Sequence, residues 1–227
     1  MNNNDSFHPF PASGIRHIGI IPDGGRRWAA ANNRTLLSSY AETSKKMAEF
    51  LILLAHTGIT EVSIFLSSRE NFRRPENETD AFNSAAMNAI QNTIPQMAMR
   101  HKIKVSVAGD TSQLNAGFIE EINKLENSTR NFDLIKLNLL ISYNPVDEIK
   151  HAINQSDSEN FTKNLWVKTP LDLVIRTGGA NLLSNFLPLQ AGYARLYFSN
   201  KLFNDFTLTD LMEYIEDYTS LTRKYGN

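Results

Sequence analysis

Asp172-Leu173-Val174-Ile175-Arg176-Thr177-Gly178-Gly179 is a short apolar run that ends in an arginine, a hydroxyl residue and two glycines. This pattern is typical of a buried strand followed by a tight turn. Ile20-Ile21-Pro22-Asp23-Gly24-Gly25-Arg26-Arg27-Trp28 has the same arrangement near the start of the chain. Ser67-Ser68-Arg69-Glu70-Asn71-Phe72-Arg73-Arg74-Pro75 directly follows a third strand-like run. Three predicted strands therefore end in arginine-rich connections.

The remainder of the chain alternates strand-like runs with helical patterns. Six runs are predicted as strands: His17 to Ile21, Glu61 to Leu66, Ile103 to Ala108, Leu134 to Ser142, Leu171 to Ile175 and Arg195 to Phe198. Between them, apolar residues recur at helical spacing, as in the segment from Phe82 to Ile90, and Pro95 is expected to kink that helix. The alternation predicts an α/β fold with a central, mostly parallel six-stranded sheet flanked by helices.

Composition indicates one globular domain. The 227 residues are 41% hydrophobic and 21% charged, which is enough to bury a core. We expect a loose N-terminal tail over residues 1–15, a single domain over 16–227 and a mobile surface loop from Asn154 to Asn164. A net charge of −1 supplies no global field to recruit nucleic acid, and any anion site must be local.

Several classes of protein are excluded or disfavoured. The chain has no cysteine, so disulfides, thiolate metal sites and a catalytic thiol are excluded. It contains no HExxH or GxSxG motif, and its five histidines are scattered; we interpret His17 as structural. No stretch is long and apolar enough for a signal peptide or a membrane span, so we expect a cytoplasmic protein with no integral membrane segment.

The segment after the first strand predicts an anion site. Gly24 and Gly25 let backbone N–H groups approach a phosphate, the following helix start adds its positive end, and Arg27 can form a charge-assisted pair. Asp23 could then hold Mg²⁺ against that phosphate. The segment alone is equally compatible with a turn in which Asp23 caps the helix and the arginines are solvated.

The other two blocks strengthen the prediction. Each would be interpreted alone as a solvated charged loop. In a parallel sheet, however, the carboxyl ends of the strands lie at one edge, and ligands bind beyond that edge. The three blocks together predict a cleft for a polyanion.

The three blocks also resemble the signatures of the cis-prenyltransferase family, which includes undecaprenyl diphosphate synthase. Asp23 to Trp28 is similar to the family's Asp-Gly-Asn-(Gly/Arg)-Arg-Trp, and Ser68 to Pro75 is similar to its Ser-(Ser/Thr)-Glu-Asn-Trp-x-Arg-Pro. Asp172 to Gly179 reproduces its Asp-Leu-(Val/Leu)-Ile-Arg-Thr-Gly-Gly. Ser184 to Leu187 and Gln190 to Phe198 resemble the segments that follow, so the resemblance covers nearly the whole chain.

The resemblance implies a transferase of isoprenoid biosynthesis, usually a homodimer, whose cleft holds an allylic diphosphate beside isopentenyl diphosphate above an apolar tunnel. Asp23 would be the Mg²⁺ ligand and, with Ser68, Asn71 and Arg74, would serve the chemistry. The residues expected to bind substrate are Gly24, Gly25, Arg26, Arg27, Trp28, Arg176, Ser184 and Arg195. Ala85, Ala86 and Ala89 could leave room for the prenyl chain.

The chain also departs from the family at several positions. The family's usual arginine, glycine and histidine after the first block are here Leu36, Ser39 and Tyr40, and its second arginine after the third block is Leu182. Its metal-binding glutamate is here Arg195, which cannot ligate a metal but could contact diphosphate directly. A small tunnel residue is replaced by Leu66, whose volume predicts a short product.

Three functions follow from these observations. The leading prediction is Mg²⁺-assisted prenyl transfer from an allylic diphosphate to isopentenyl or dimethylallyl diphosphate, giving a short prenyl diphosphate with regular or irregular linkage. The alternative is a terpene synthase that ionises and then quenches or cyclises a prenyl diphosphate in the same cleft. The third is a non-catalytic partner subunit, against which the retention of Asp23, Arg27, Asn71, Arg74 and Arg176 argues.

Overall fold

A computed structural model describes residues 14–155 and 159–220. Most of the predicted tail, residues 1–13, lies outside the described residues, and so do residues 156–158 of the predicted surface loop and residues 221–227. Within the described ranges, no helix combines the length and the apolar character needed to span a bilayer.

Six parallel strands form one sheet, which confirms the predicted fold class. The strands are β1 (His17–Ile21), β2 (Glu61–Phe65), β3 (Ile103–Ala108), β4 (Ile135–Leu140), β5 (Leu173–Arg176) and β6 (Arg195–Phe198). Their spatial order is β3-β4-β2-β1-β5-β6. Strand β4 is shorter than the predicted run from Leu134 to Ser142, since Ser142 has a φ of 52°, which turns the chain out of the extended conformation.

Seven α-helices are described. They are α1 (Gly25–Ala31), α2 (Leu36–Ala55), α3 (Glu76–Asn88), α4 (Ile94–His101), α5 (Ala116–Thr129), α6 (Pro145–Asn154) and α7 (Leu208–Thr219). Helix α3 continues into α4 through a π-helical turn, Ala89–Thr93. We expected an irregularity at Pro95, and this π-helical turn lies immediately before that residue. The wider turn accommodates proline, which has no N–H to donate.

The core has two parts, one on each face of the sheet. Alternate residues of β5 show the division: Leu173 and Ile175 belong to the larger cluster, whereas Val174 belongs to the smaller one. Helices α2, α5 and α7 contribute to the larger cluster. Both faces of the sheet are therefore covered, which explains why its strands are near-continuous apolar runs.

The strand order determines where a site can form. Strand β1 lies between β2 and β5; the chain leaves β1 towards β2 on one side, whereas it leaves β5 towards β6 on the other side. Such a reversal leaves a crevice at the carboxyl ends of the strands. The three arginine-rich blocks all leave β1, β2 and β5 at this crevice.

Candidate active site

A cavity of about 820 Å³ opens at the carboxyl ends of β1, β2 and β5. Ten of the residues predicted to carry the site line it. They are Asp23, Gly24, Gly25, Arg26, Arg27, Ser68, Asn71, Arg74, Arg176 and Ser184. The structure therefore brings residues from all three blocks to one cavity.

Arg176 is the buried centre of this cavity. It is 7% exposed, and its guanidinium donates to Asp23 Oδ2 at 2.8 Å, to Ser184 Oγ at 2.6 Å and to the carbonyl oxygen of Leu182 at 2.7 Å. Its Nε is buried and has no hydrogen-bond partner among the described residues. A buried N–H without a partner is costly, so this guanidinium is not fully satisfied by the described residues.

Thr177 joins the ends of β1 and β5, a role not predicted from the sequence. The Asp23 N–H donates to Thr177 Oγ1 at 3.0 Å, and the Thr177 hydroxyl donates to the Asp23 carbonyl oxygen at 2.9 Å. Gly178 follows with a φ of 84°, and a Cβ there would lie 2.7 Å from Arg27 Nη2. A side chain at Gly178 would therefore push Arg27 away from Asp23.

The turn between β1 and α1 carries two further arginines. Gly24 has a φ of 112°, a conformation that favours glycine. Arg27 Nη2 lies 3.5 Å from Asp23 Oδ1, and Arg26 pairs with Glu78 of α3 at 3.2 Å. Glu78 was not predicted as a site residue, because no local pattern shows that α3 crosses in front of this turn.

The connection after β2 forms a compact turn. The Ser68 N–H donates to Asn71 Oδ1 at 3.0 Å, so the two predicted catalytic residues hold each other at the cavity wall. Arg74 follows at the end of the 3₁₀ helix Arg69–Arg73 and lines the same wall. Arg69 instead pairs with Asp147 of α6 at 2.7 Å and does not line the cavity.

Four arginines and two acidic residues line the cavity, so its described lining carries an excess of positive charge. The arginines are Arg26, Arg27, Arg74 and Arg176, and the acidic residues are Asp23 and Glu78. Three of the arginines form ion pairs with these two carboxylates, and the lining as a whole keeps a net charge of +2. This balance fits a substrate with several negative charges.

Trp28 and Arg195 lie outside the cavity lining. Trp28 Nε1 donates to Asp205 Oδ1 at 2.9 Å, so its indole holds α1 against the chain that follows β6. Arg195 begins β6, at the strand's amino end, where it pairs with Asp217 of α7 at 3.2 Å. Arg195 is in register with Leu173, the first residue of β5, whereas Arg176 at the cavity is the last residue of that strand.

An apolar recess of about 110 Å³ adjoins the polar cavity. Pro22, Gly25, Tyr40, Leu66 and Phe82 line both spaces and form the neck between them. The Tyr40 and Phe82 rings meet edge to face, with centroids 6.1 Å apart. The alanines predicted to leave room for a chain, Ala85, Ala86 and Ala89, lie in the recess.

Tyr40 was noted in the sequence only as a departure from the family. Burial raises the pKa of its hydroxyl, whereas the neighbouring Arg74 lowers it. The net shift is upward, so the side chain is a neutral phenol at physiological pH and adds no charge to the neck. An aromatic wall with a neutral hydroxyl suits an apolar chain better than an imidazole would.

The cavity offers one carboxylate for a metal ion. Glu78 pairs with Arg26 and is 21% exposed, whereas Asp23 is 35% exposed despite its pairs with Arg176 and Arg27, so Asp23 is the more accessible carboxylate. Within residues 14–155 and 159–220, no three His, Cys, Asp or Glu side chains form a group that could hold a metal by themselves. Mg²⁺ commonly takes one or two carboxylates and completes its shell with water and substrate phosphate oxygens. Asp23 therefore fits a cation that binds together with a diphosphate.

Comparison with known proteins gives a consistent result. The profile of a family described as "Putative undecaprenyl diphosphate synthase" matches residues 21–226. The isoprenyl transferase of Campylobacter jejuni (strain RM1221) is 30% identical over 219 residues, which cover 93% of this chain and 98% of that protein.

Two crystal structures are also similar. A "probable undecaprenyl diphosphate synthase" from Campylobacter jejuni aligns with a TM-score of 0.81 and 28% identity, covering 94% of this chain and 99% of the other. The fold also matches lavandulyl diphosphate synthase from Lavandula x intermedia in complex with dimethylallyl diphosphate, with a TM-score of 0.88, 24% identity and coverage of 96% and 100%.

Proposed function

The chain belongs to the cis-prenyltransferase family of undecaprenyl diphosphate synthases and is a prenyltransferase, and from this premise we propose that it makes a short prenyl diphosphate. The donor is an allylic diphosphate, and the acceptor is isopentenyl or dimethylallyl diphosphate. The observation that carries the proposal is the arginine-lined cavity with Asp23 in its wall, which opens onto a small apolar recess. Diphosphate groups and hydrocarbon chains need these two environments side by side.

The arginines divide between two diphosphates. Arg26 and Arg27 lie on the turn after β1 with exposed side chains, so they can reorganise around the allylic diphosphate. Arg176 is buried and fixed by Ser184 and Leu182, and it lines the cavity together with Ser184, where the second diphosphate would bind. The bond from C1 to the allylic diphosphate oxygen breaks with both electrons leaving on oxygen, so Arg26 and Arg27 stabilise charge that grows on the leaving group during the reaction.

Asp23 is the residue that would hold Mg²⁺. When bound there with a diphosphate, Mg²⁺ supplies further neutralisation of the leaving group. The buried Arg176 orients the Asp23 carboxylate through Oδ2 at 2.8 Å, so its position does not depend on the ligand. The double bond of the acceptor then forms the new bond to C1 and one proton is lost, for which the released diphosphate is the nearest base that the reaction itself provides.

Product length follows from the neck. Leu66, Tyr40 and Phe82 narrow the passage from the cavity, and the recess behind them is small. A growing chain would have to displace these side chains after a few isoprene units, at a cost that rises with each added unit. We therefore infer a short product.

A homodimer is part of the proposal. Leu182, Leu189, Tyr193 and Leu196 lie on or before the edge strand β6, and each is at least 39% exposed. Large apolar side chains grouped at a sheet edge are typical of protein interfaces. The chain offers this face to a second copy of itself.

One experiment tests the reaction. Purified protein is incubated with Mg²⁺ and dimethylallyl, geranyl or farnesyl diphosphate, each with and without isopentenyl diphosphate, and products are identified by mass spectrometry. A short prenyl diphosphate, lost in Asp23→Ala, is expected. A free hydrocarbon or alcohol from one substrate would favour the terpene synthase, and no turnover would favour the partner subunit.

A further inference from the structure

Residues 203–205, a single 3₁₀ turn, form hydrogen bonds with the turn between β1 and α1. The Phe203 N–H donates to the Asp23 carbonyl oxygen at 3.0 Å. The Asp205 carboxylate accepts from the Trp28 indole at 2.9 Å. Two of the three residues of this turn therefore bond directly to the two ends of the Asp23–Trp28 segment.

The third residue, Asn204, reaches the segment through a relay. Ser39 is fully buried in the first turn of α2, and its hydroxyl donates to the Gly25 carbonyl oxygen at 2.8 Å. Asn204 Nδ2 donates in turn to Ser39 Oγ at 3.1 Å. The relay thus runs from Asn204 through Ser39 to Gly25, and neither Asn204 nor Ser39 lines the cavity.

Both the side chain and the backbone of Asn204 are held by residues of α2. The Thr43 hydroxyl donates to Asn204 Oδ1 at 2.7 Å. The Lys46 ammonium donates to the carbonyl oxygens of Asn204 and Phe206 at 2.6 and 2.9 Å. Because Thr43 and Lys46 belong to the same long helix as Ser39, α2 anchors the whole relay.

We propose that Ser39 and Asn204 are positioning residues that hold Gly25 through the Ser39 hydroxyl, so that Arg26 and Arg27 are presented correctly to the allylic diphosphate. The inference rests on the proposed function for the identity of that ligand. Gly25 has no side chain that could pin it by packing, and its backbone is the most permissive of any residue. A hydrogen bond from a buried hydroxyl on a rigid helix supplies the missing constraint and lowers the ordering cost of binding.

Ser39 is one of the positions at which the sequence departs from the family that it resembles. The family to which it belongs is expected to have glycine at the position of Ser39, and glycine has no hydroxyl to donate. The same region has lost the arginine and histidine expected at Leu36 and Tyr40. With fewer charged groups around the donor diphosphate, the orientation of those that remain has more influence on affinity.

Three variants test the relay. Ser39→Ala removes the bond to Gly25, and Asn204→Ala removes only its support. Thr57→Val is the matched control: Thr57 is also buried, and its hydroxyl also donates to a backbone carbonyl at 2.7 Å, but it lies beyond the other end of α2. Thermal unfolding followed by circular dichroism establishes that each variant is folded.

Hydrogen exchange measures positioning independently of activity. In Ser39→Ala the amides of the peptide spanning residues 21–31 should exchange about tenfold faster than in the wild type, since the local constraint is lost. Asn204→Ala should give a smaller change, and the double variant should match Ser39→Ala, because the two residues act in series. Unchanged exchange in Ser39→Ala, or an equal change in Thr57→Val, would overturn the proposal.

Steady-state kinetics test the consequence for substrate. Ser39→Ala should raise the KM for the allylic diphosphate about tenfold, the effect of one lost hydrogen bond. The KM for isopentenyl diphosphate should stay within about twofold, because Arg176 and Ser184 are held by other contacts. Equal changes in both constants would indicate a merely structural role and overturn the proposal.

A wild-type chain without turnover would defeat the proposed function, while hydrogen exchange would still decide the relay.

Discussion

Arg176 and Asp23 are joined by a 2.8 Å hydrogen-bonded ion pair between residues 153 positions apart in the chain. The pair forms because β1 and β5 are neighbours and Ile21 is in register with Arg176, which places Asp23 just beyond the end of the strand. Arg176 is nearly buried, whereas Asp23 is about one-third exposed. The carboxylate is thus held by the protein on one side and open to ligand on the other.

Replacing Asp23 by Asn should lower kcat by at least about 100-fold, since neutralisation of the leaving diphosphate loses its anchor. Stability should fall by about 1–3 kcal/mol, because Arg176 loses its charged partner. Product formation is followed by mass spectrometry and unfolding by urea titration. The control is Glu120→Gln, which neutralises an exposed carboxylate paired with Lys124. Full activity in Asp23→Asn would refute the site.

Replacing Arg176 by Lys should raise the KM for isopentenyl diphosphate about tenfold or more, because an ammonium cannot reproduce the guanidinium's simultaneous bonds to Asp23, Ser184 and Leu182. Initial rates at varied isopentenyl diphosphate measure the effect. Arg69→Lys is the control, since Arg69 also pairs with a carboxylate, through Nη1 to both oxygens of Asp147, but lies outside the cavity. Similar effects of both substitutions would contradict a specific role for Arg176.

Replacing Leu66 by Ala should lengthen the product by at least one isoprene unit. Leu66 lines both the cavity and the recess, so truncation widens the neck between them. Chain-length distributions of the products check this. Leu125→Ala removes the same atoms from the core on α5, outside both spaces, and should destabilise by about 2–5 kcal/mol without changing the distribution. An unchanged product in Leu66→Ala would show that another residue limits length.

Replacing Leu196 by Lys should shift the protein from dimer to monomer, because a charge would be buried at the proposed interface on β6. Size-exclusion chromatography with light scattering gives the mass directly. Val146→Lys, at an exposed apolar position of α6, serves as the control. A dimer that survives Leu196→Lys would place the interface elsewhere.

Stability should fall as pH drops below about 6.5 because of His17. His17 is fully buried; its Nδ1 lies 2.9 Å from the Thr169 carbonyl oxygen and therefore carries the proton, and its Nε2 accepts from Ser63. Burial lowers the pKa of His17, although Glu61 opposes the shift. The unfolded chain therefore binds a proton at a pH where the folded chain does not.

The free energy of unfolding should decrease by about 1 kcal/mol per pH unit below 6.5, until the pH reaches the lower pKa of the folded state. Urea unfolding at pH 7.5, 6.5 and 5.5 measures the slope. His17→Gln removes the titrating group, so the difference between its slope and that of the wild type isolates His17 from the other histidines. Identical slopes would contradict the prediction.

Local sequence was sufficient to predict the six strands and ten of the residues that line the cavity. The runs before Asp23, Ser68 and Arg176 are interpretable as strands because burial on both faces makes them mostly apolar, although His17, Glu61 and Ser63 are polar residues buried within them. In a parallel sheet their carboxyl ends lie at one edge, so the meeting of the three blocks followed without knowledge of the strand order. The resemblance then suggested which ligand such an edge would bind.

Tertiary packing alone decided how those residues are held. Trp28 belongs to the first block but bonds to Asp205, and Arg195 pairs with Asp217 at the opposite end of its strand from the cavity. Ser39 meets Asn204 across 165 positions of sequence. No local pattern encodes such pairs, because they depend on which helix packs against which turn. The sequence by itself determined the chemistry available at the sheet edge, and the packing of α2, α7 and the 203–205 turn decided which side chains face the ligand.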